Sequence, residues 1–99
     1  MGDFEQLVLL ALMRLGNDAY GMEVREEIEQ RTGRDVSYGA VYTTLDRLER
    51  KGFVTYRMGE TTPERGGRAR KYFKVSPAGV SALRESRDAL TVMWQGVRL

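Results

Sequence analysis

Ninety-nine residues, 41% apolar and 30% charged, suffice for one soluble globular domain with a single core and exclude a disordered chain. Cysteine and histidine are both absent, which excludes disulfides, thiolate chemistry and imidazole acid–base catalysis and leaves a zinc or iron–sulfur site only carboxylates, so no metal or cofactor is expected. The net charge of +2 hides an uneven layout: residues 18–35 hold six acids and three bases, whereas residues 57–74 hold six bases and two acids.

A local basic stretch of this kind says more about an anionic partner than the total charge does. No apolar run reaches the ~18 residues that cross a bilayer. Leu7 to Met13 lacks the basic leader and cleavage site of a signal peptide, so no membrane partner and a cytoplasmic location are expected.

The first predicted helix runs from about Asp3 to Leu15, with Asp3 as N-cap, Gln6 three residues on, and Gly16-Asn17 as the stop. Phe4, Leu7, Val8, Leu9, Leu10, Ala11, Leu12, Met13 and Leu15 leave it almost no polar face. A helix this apolar in a small domain needs cover on several sides, part of it from a second chain. The second helix spans roughly Gly21 to Thr32 and stops at Gly33, with Met22, Val24 and Ile28 as a narrow apolar stripe. Its Glu23, Glu26, Glu27 and Glu29 read as a solvated face. They are too acidic to lie on a nucleic acid, so this helix supports rather than touches.

The third helix carries the strongest signal. Ser37 caps it, Gly52 stops it and Lys51 stands in its last turn. At 100° per residue, Val41, Leu45 and Leu48 share one stripe flanked by Tyr38 and Tyr42. The opposite face collects Gly39, Ala40, Thr43, Asp46, Arg47 and Arg50. Small residues followed by arginines let a helix backbone sit close to phosphates and base edges. Asp46 and Arg50 read as an i,i+4 pair. Tyr42 suits core packing and a nucleic-acid contact equally well.

Two aromatic, alternating segments follow, Phe53 to Met58 and Arg70 to Val75. Between them, Gly59 to Ala69 is long for a hairpin loop, and its tip is expected to be mobile until something binds it. Tyr72 and Phe73 face opposite sides of their strand, so one belongs to the core and the other is a candidate dimer contact. The last helix starts sharply at Ser76-Pro77. Val80, Leu83, Leu90, Trp94 and Val97 recur at heptad spacing, Arg87 interrupts one apolar position, and Ala82, Ala89 and Met93 broaden the face. Its ~20 residues give ~30 Å, more than a three-helix core of this size covers, and make it a dimerisation helix.

Three helices and a basic hairpin describe a winged helix-turn-helix, mainly α with a small β-hairpin. Residues 1–75 form the winged unit and residues 76–99 the C-terminal dimerisation helix, together one structural unit. In such a domain the third helix enters the major groove and the hairpin lies along the adjacent backbone or minor groove. Arg47 and Arg50 then reach phosphates or a guanine edge, and Thr43 a thymine methyl or phosphate. Ser37, Tyr38, Gly39, Ala40 and Tyr42 lie at the helix start, where the dipole favours phosphate. Arg65, Arg68, Arg70 and Lys71 hold the wing. The expected dimer contacts are Leu7, Leu10, Val80, Leu83, Leu90, Met93, Trp94 and Val97.

Two rival readings stay open. One is a winged-helix module that binds a protein partner without specific DNA binding. The basic wing and the lack of large apolar residues on the outer face of the third helix weigh against it. The other is an enzyme, but Ser37, Asp46 and Lys51 show no nucleophile–base spacing.

The stretches LVLLALMRLGNDAYGMEVREEI, GAVYTTLDRLERKGFV and RGGRARKYFKVSPAGVSAL together resemble the PadR family of bacterial transcriptional regulators, and they span residues 7–83. The resemblance implies a winged-helix homodimer on a pseudo-palindromic double-stranded operator, usually a repressor of its own or a neighbouring operon. It also implies that the C-terminal helix crosses to the partner subunit. Thr43 departs from the family pattern, where many relatives carry proline. A single C-terminal helix matches the short members, without a separate effector domain. In some of these, aromatic compounds bind between the subunits or beside the wing; Trp94, Met93 and Leu90 are the candidate effector contacts here.

Overall fold

A computed structural model describes residues 1–59 and 69–99. The order is α1 (Asp3–Arg14), α2 (Gly21–Thr32), α3 (Tyr38–Arg50), β1 (Val54–Met58), β2 (Lys71–Val75) and α4 (Pro77–Trp94). The predicted third helix and the Ser76-Pro77 start of the fourth are both present. Ser37 Oγ accepts the Ala40 N–H at 3.1 Å, and Ser76 Oγ accepts the Gly79 N–H at 3.1 Å. Each hydroxyl thereby satisfies a first-turn donor that the helix itself leaves free.

One apolar stripe from each element builds the core. Val8, Leu9 and Leu12 of α1 meet Val24 and Ile28 of α2 and Val41, Leu45 and Leu48 of α3, all buried. The sheet closes the remaining side with Val54, Phe73 and Val75, and α4 adds Leu83. Thr44, beside the α3 stripe, is buried too. Beyond Leu83 the fourth helix leaves the body of its own chain. The radius of gyration is 15.0 Å, against ~13 Å for a compact chain of this length.

The hairpin is antiparallel, with Val54 opposite Val75, Tyr56 opposite Phe73 and Arg57 opposite Tyr72. A third, one-residue strand flanks it. Ala19 and Phe73 exchange both main-chain hydrogen bonds, at 2.8 and 3.2 Å. Asn17 extends the clasp, its Oδ1 accepting the Val75 N–H at 2.7 Å and its Nδ2 donating to the Val75 carbonyl at 3.4 Å. The start of α2 is thus tied to the strand that carries the basic residues.

Several expectations change. The cap of α1 is Gly2 rather than Asp3, and the reciprocal carboxylate is Glu5 rather than Gln6; the Gly2 N–H donates to Glu5 Oε1 at 2.9 Å. Of the four α2 glutamates only Glu26 stands exposed as expected; the other three are engaged. Glu23 accepts the Tyr20 N–H at 3.1 Å, Glu29 accepts the Val36 N–H at 3.1 Å, and Glu27 holds Arg14 and Arg31 at 3.3 and 2.6 Å. Arg50 Nε donates to the main-chain carbonyl of Asp46 at 3.4 Å, not to its carboxylate. Of the two aromatic neighbours on β2, Phe73 is core, and Tyr72 packs edge-on against Tyr20 within the same chain. The fourth helix has 18 residues, a turn's end short of the expected length.

Glu5 also joins α1 to α3. It is 5% exposed, and its Oε2 accepts from Lys51 Nζ at 2.9 Å. That hydrogen bond, aided by the Gly2 N–H and the field of Arg47, holds its carboxyl below the usual carboxylate range against the opposing cost of burial. Removing the lysine strands a buried charge, whereas neutralising the carboxylate leaves an ammonium that reaches water. Lys51→Met should therefore cost about 2 kcal/mol and Glu5→Gln about 1 kcal/mol. Because the folded pKa is depressed, the pair's contribution is full above about pH 4.3 and is lost as pH falls through the folded value. Urea melts of both variants at neutral and acid pH test this; a larger loss for Glu5→Gln would refute the asymmetry.

Candidate nucleic-acid interface

The outer face of α3 is as the periodicity predicts. Gly39, Ala40, Thr43, Asp46, Arg47 and Arg50 are all exposed, while Val41, Leu45 and Leu48 are fully buried. This leaves a strip of backbone and small side chains at the helix start, with two guanidinium groups one to two turns further on. Ser37 and Tyr38 stand at its N-terminal edge, and Arg25 of α2 lies 4.7 Å from the centre of the Tyr38 ring.

Tyr42 is 45% exposed, yet its ring has a defined seat. It lies over Gly21, the first residue of α2, so closely that a Cβ there would stand 2.7 Å from the ring. A side chain at that position would have to push the tyrosine ring out of its seat. Tyr20, Tyr38, Tyr42 and Met22 then line one wall of a cleft of about 320 Å³, with Ala69, Arg70 and Lys71 at the root of β2 on the other. The cleft separates α3 from the wing.

The basic residues of the hairpin divide by face. Arg70 lies 4.2 Å over the Tyr20 ring on one face, and Lys71 lies 4.2 Å over Tyr56 on the other. Arg57, one of the six bases in the stretch, is already engaged. Asp18 accepts from its Nε at 3.1 Å and from its terminal nitrogen at 2.8 Å. The hydrogen bonds to Arg57 hold the Asp18 carboxyl below the usual range and push the Arg57 guanidinium pKa up. Arg65 and Arg68 lie outside the described residues. Sequence reasoning missed Tyr20, which lines the cleft, Gly21, which lies under the Tyr42 ring, and Asp18, which holds Arg57. The tyrosine–glycine pair ahead of a helix was the available signal.

The proposed dimer residues fall into two groups. Leu83 is buried in its own chain's core, and Leu7 and Val80 are partly buried against it. Leu10, Leu90, Met93, Trp94 and Val97 remain exposed, Met93 at 74% and Trp94 at 55%. Between α1 and α4 runs a groove of about 520 Å³, lined by Leu10, Met13, Leu90 and Trp94 together with Arg84 and Arg87. Among the described residues no helix is long and apolar enough to cross a membrane, and no cluster of acidic side chains is arranged to hold a metal ion.

Comparison with known proteins agrees with this geometry. The transcriptional regulator Rv3488 of Mycobacterium tuberculosis is 38% identical over 74 residues, 75% of this chain and 64% of that protein. The chain therefore spans just under two thirds of that relative's length. A PadR-like transcription factor from Bacteroides fragilis superposes with a TM-score of 0.78 at 26% identity, over 91% of this chain and 82% of that one. Bacillus subtilis PadR, solved in complex with operator DNA, shares the fold with a TM-score of 0.74 at 17% identity, over 86% of this chain and 46% of that one. The profile of the transcriptional regulator PadR-like family matches residues 9–85, from within α1 to the middle of α4. The chain belongs to the PadR-like family of transcriptional regulators, not to a family of enzymes.

Proposed function

We propose that this protein is a sequence-specific, homodimeric DNA-binding repressor of its own or a neighbouring operon, acting in the cytoplasm on a pseudo-palindromic operator. The observation that carries the reading is the exposed strip Gly39, Ala40, Thr43, Arg47 and Arg50 beside a cleft walled by Arg70 and Lys71. It offers close backbone approach at one end and hydrogen-bonding cations at the other. The operator complex of the Bacillus subtilis relative supports the same use of the fold.

In this reading Ser37, Tyr38 and Tyr42 contact phosphate, Thr43 and Arg47 read base edges, and Arg50, Arg70 and Lys71 bind the backbone. Arg65 and Arg68 extend the wing contact. Leu10, Leu90, Met93, Trp94 and Val97 meet the partner subunit, since an apolar strip of this extent needs cover. An aromatic effector that relieves repression lodges against Trp94, Met93 and Leu90. Residues 1–75 and 76–99 work as one unit, the second joining two copies of the first.

The test is fluorescence anisotropy of a labelled fragment of the gene's own upstream region, titrated at two salt concentrations beside a scrambled duplex. Tight binding, lost on scrambling and weakened by salt, is expected, with two recognition helices ~34 Å apart. Arg47→Ala should weaken operator binding by ~1–3 kcal/mol and change scrambled-duplex binding far less. Equal loss on both duplexes would make Arg47 a phosphate contact. Absence of binding to any DNA at low salt would favour a protein partner.

A further inference from the structure

The outer face of the sheet carries a run of contacts that the core does not need. The Ala19–Phe73 bridge sets Tyr20 beside Tyr72, and the hairpin register sets Tyr72 beside Arg57. Arg70 lies over Tyr20, Tyr20 meets Tyr72 edge-on at 5.7 Å, and Arg57 lies 4.5 Å over Tyr72. Asp18 ends the run by taking two N–H groups of Arg57. The outermost described pairing of the hairpin, Gly59 N–H to the Arg70 carbonyl at 2.6 Å, is two residues beyond Arg57. Arg57 is therefore a wing cation turned back along the sheet and held there at its forked end.

We propose that Asp18 is a positioning residue that withholds Arg57 from the DNA backbone, and so limits the sequence-independent share of binding. The inference rests on the DNA-binding reading above. A free guanidinium at this place in the wing finds a phosphate on any duplex. A guanidinium whose forked edge is taken by a carboxylate and whose face is stacked on Tyr72 has its charge already countered, and keeps fewer N–H groups and less reach for a phosphate. With Asp18 neutralised, Arg57 and Lys74 on this face are left without that counter-charge, and one more phosphate contact forms.

The experiment uses the full chain with an operator duplex and a scrambled duplex across a range of salt. Asp18→Asn should raise scrambled-duplex affinity about tenfold at ~50 mM salt and steepen the slope of log K against log salt by about 0.9, one phosphate's worth. Arg57→Gln alone leaves the Asp18 carboxylate unpaired and should neither raise scrambled-duplex affinity nor steepen the slope. The double variant should return to wild type, a result that a merely structural role for Asp18 does not produce. An unchanged slope in Asp18→Asn overturns the proposal, as does a double variant whose slope stays as steep as that of Asp18→Asn, because the added contact would then not be made by Arg57. Wild-type protein that binds neither duplex overturns the DNA reading and this inference together; wild type that binds while Asp18→Asn behaves like it overturns this inference only.

Discussion

Gly79→Ala is expected to cost about 3 kcal/mol and to lower the melting temperature by roughly 10–20 °C at fixed protein concentration. The first turn of α4 presses directly on the Gly52–Phe53 turn between α3 and β1. Ser76 donates its N–H to the Phe53 carbonyl at 2.9 Å and its hydroxyl to the Gly52 carbonyl at 2.6 Å. Gly79 is packed against the same peptide, so a methyl group there would overlap the Phe53 carbonyl oxygen and crowd Val75. Main chain cannot swing aside as a flexible side chain does, so either α4 lifts or the peptide twists. Gly39→Ala is the matched control. Nothing stands closer than Ser37 Oγ at 4.0 Å, so the same change in α3 should stabilise by about 0.5–1 kcal/mol. Thermal melts showing equal effects at the two positions would refute the packing argument.

Placing a charge on the far half of α4 should have the largest functional effect. Leu90 is 52% exposed on the face that also carries Trp94, and Val97 follows just beyond the helix end. If a second copy covers that face, Leu90→Glu buries an unpaired carboxylate and separates the subunits. Each winged unit would then bind one half-site without the local concentration its partner provides, and operator affinity should fall at least ~100-fold. Sedimentation should show dimer giving way to monomer, with Trp94 emission moving to the red as water reaches the indole. The same emission, quenched by an aromatic compound, would report the proposed effector. A wild-type protein that is monomeric at micromolar concentration, with Leu90→Glu binding the operator equally well, would overturn the homodimer.

The parts of this architecture that chain-local chemistry encodes could be read without coordinates. Ser37 and Ser76-Pro77 announce helix starts because a cap is made within three residues. The α3 faces follow from one residue period. What stayed hidden depends on partners distant in sequence. Arg57 looked like a free wing cation because its counter-ion, Asp18, is 39 residues away. Glu5 carried no signal of its own because its partner Lys51 is 46 residues away. Ala19 left no strand signal, since a one-residue bridge has no period to detect. Tyr42 was balanced between core and surface, and its seat over Gly21 explains why: the ring is half covered and half presented to the cleft.

The short root of α4 has a mechanical consequence. The helix is fastened to its own chain by the first two turns and leaves the rest of its ~27 Å free, so it behaves as a lever with its pivot at Phe53. A tilt of about 5° at the pivot displaces the far end by about 2 Å over that length. In a pair joined through the far halves, such tilts set how far apart the two α3 helices stand. On the proposed dimeric reading, the spacing of operator half-sites would then be governed by a backbone contact at Gly79, remote from the α3 residues proposed to read bases.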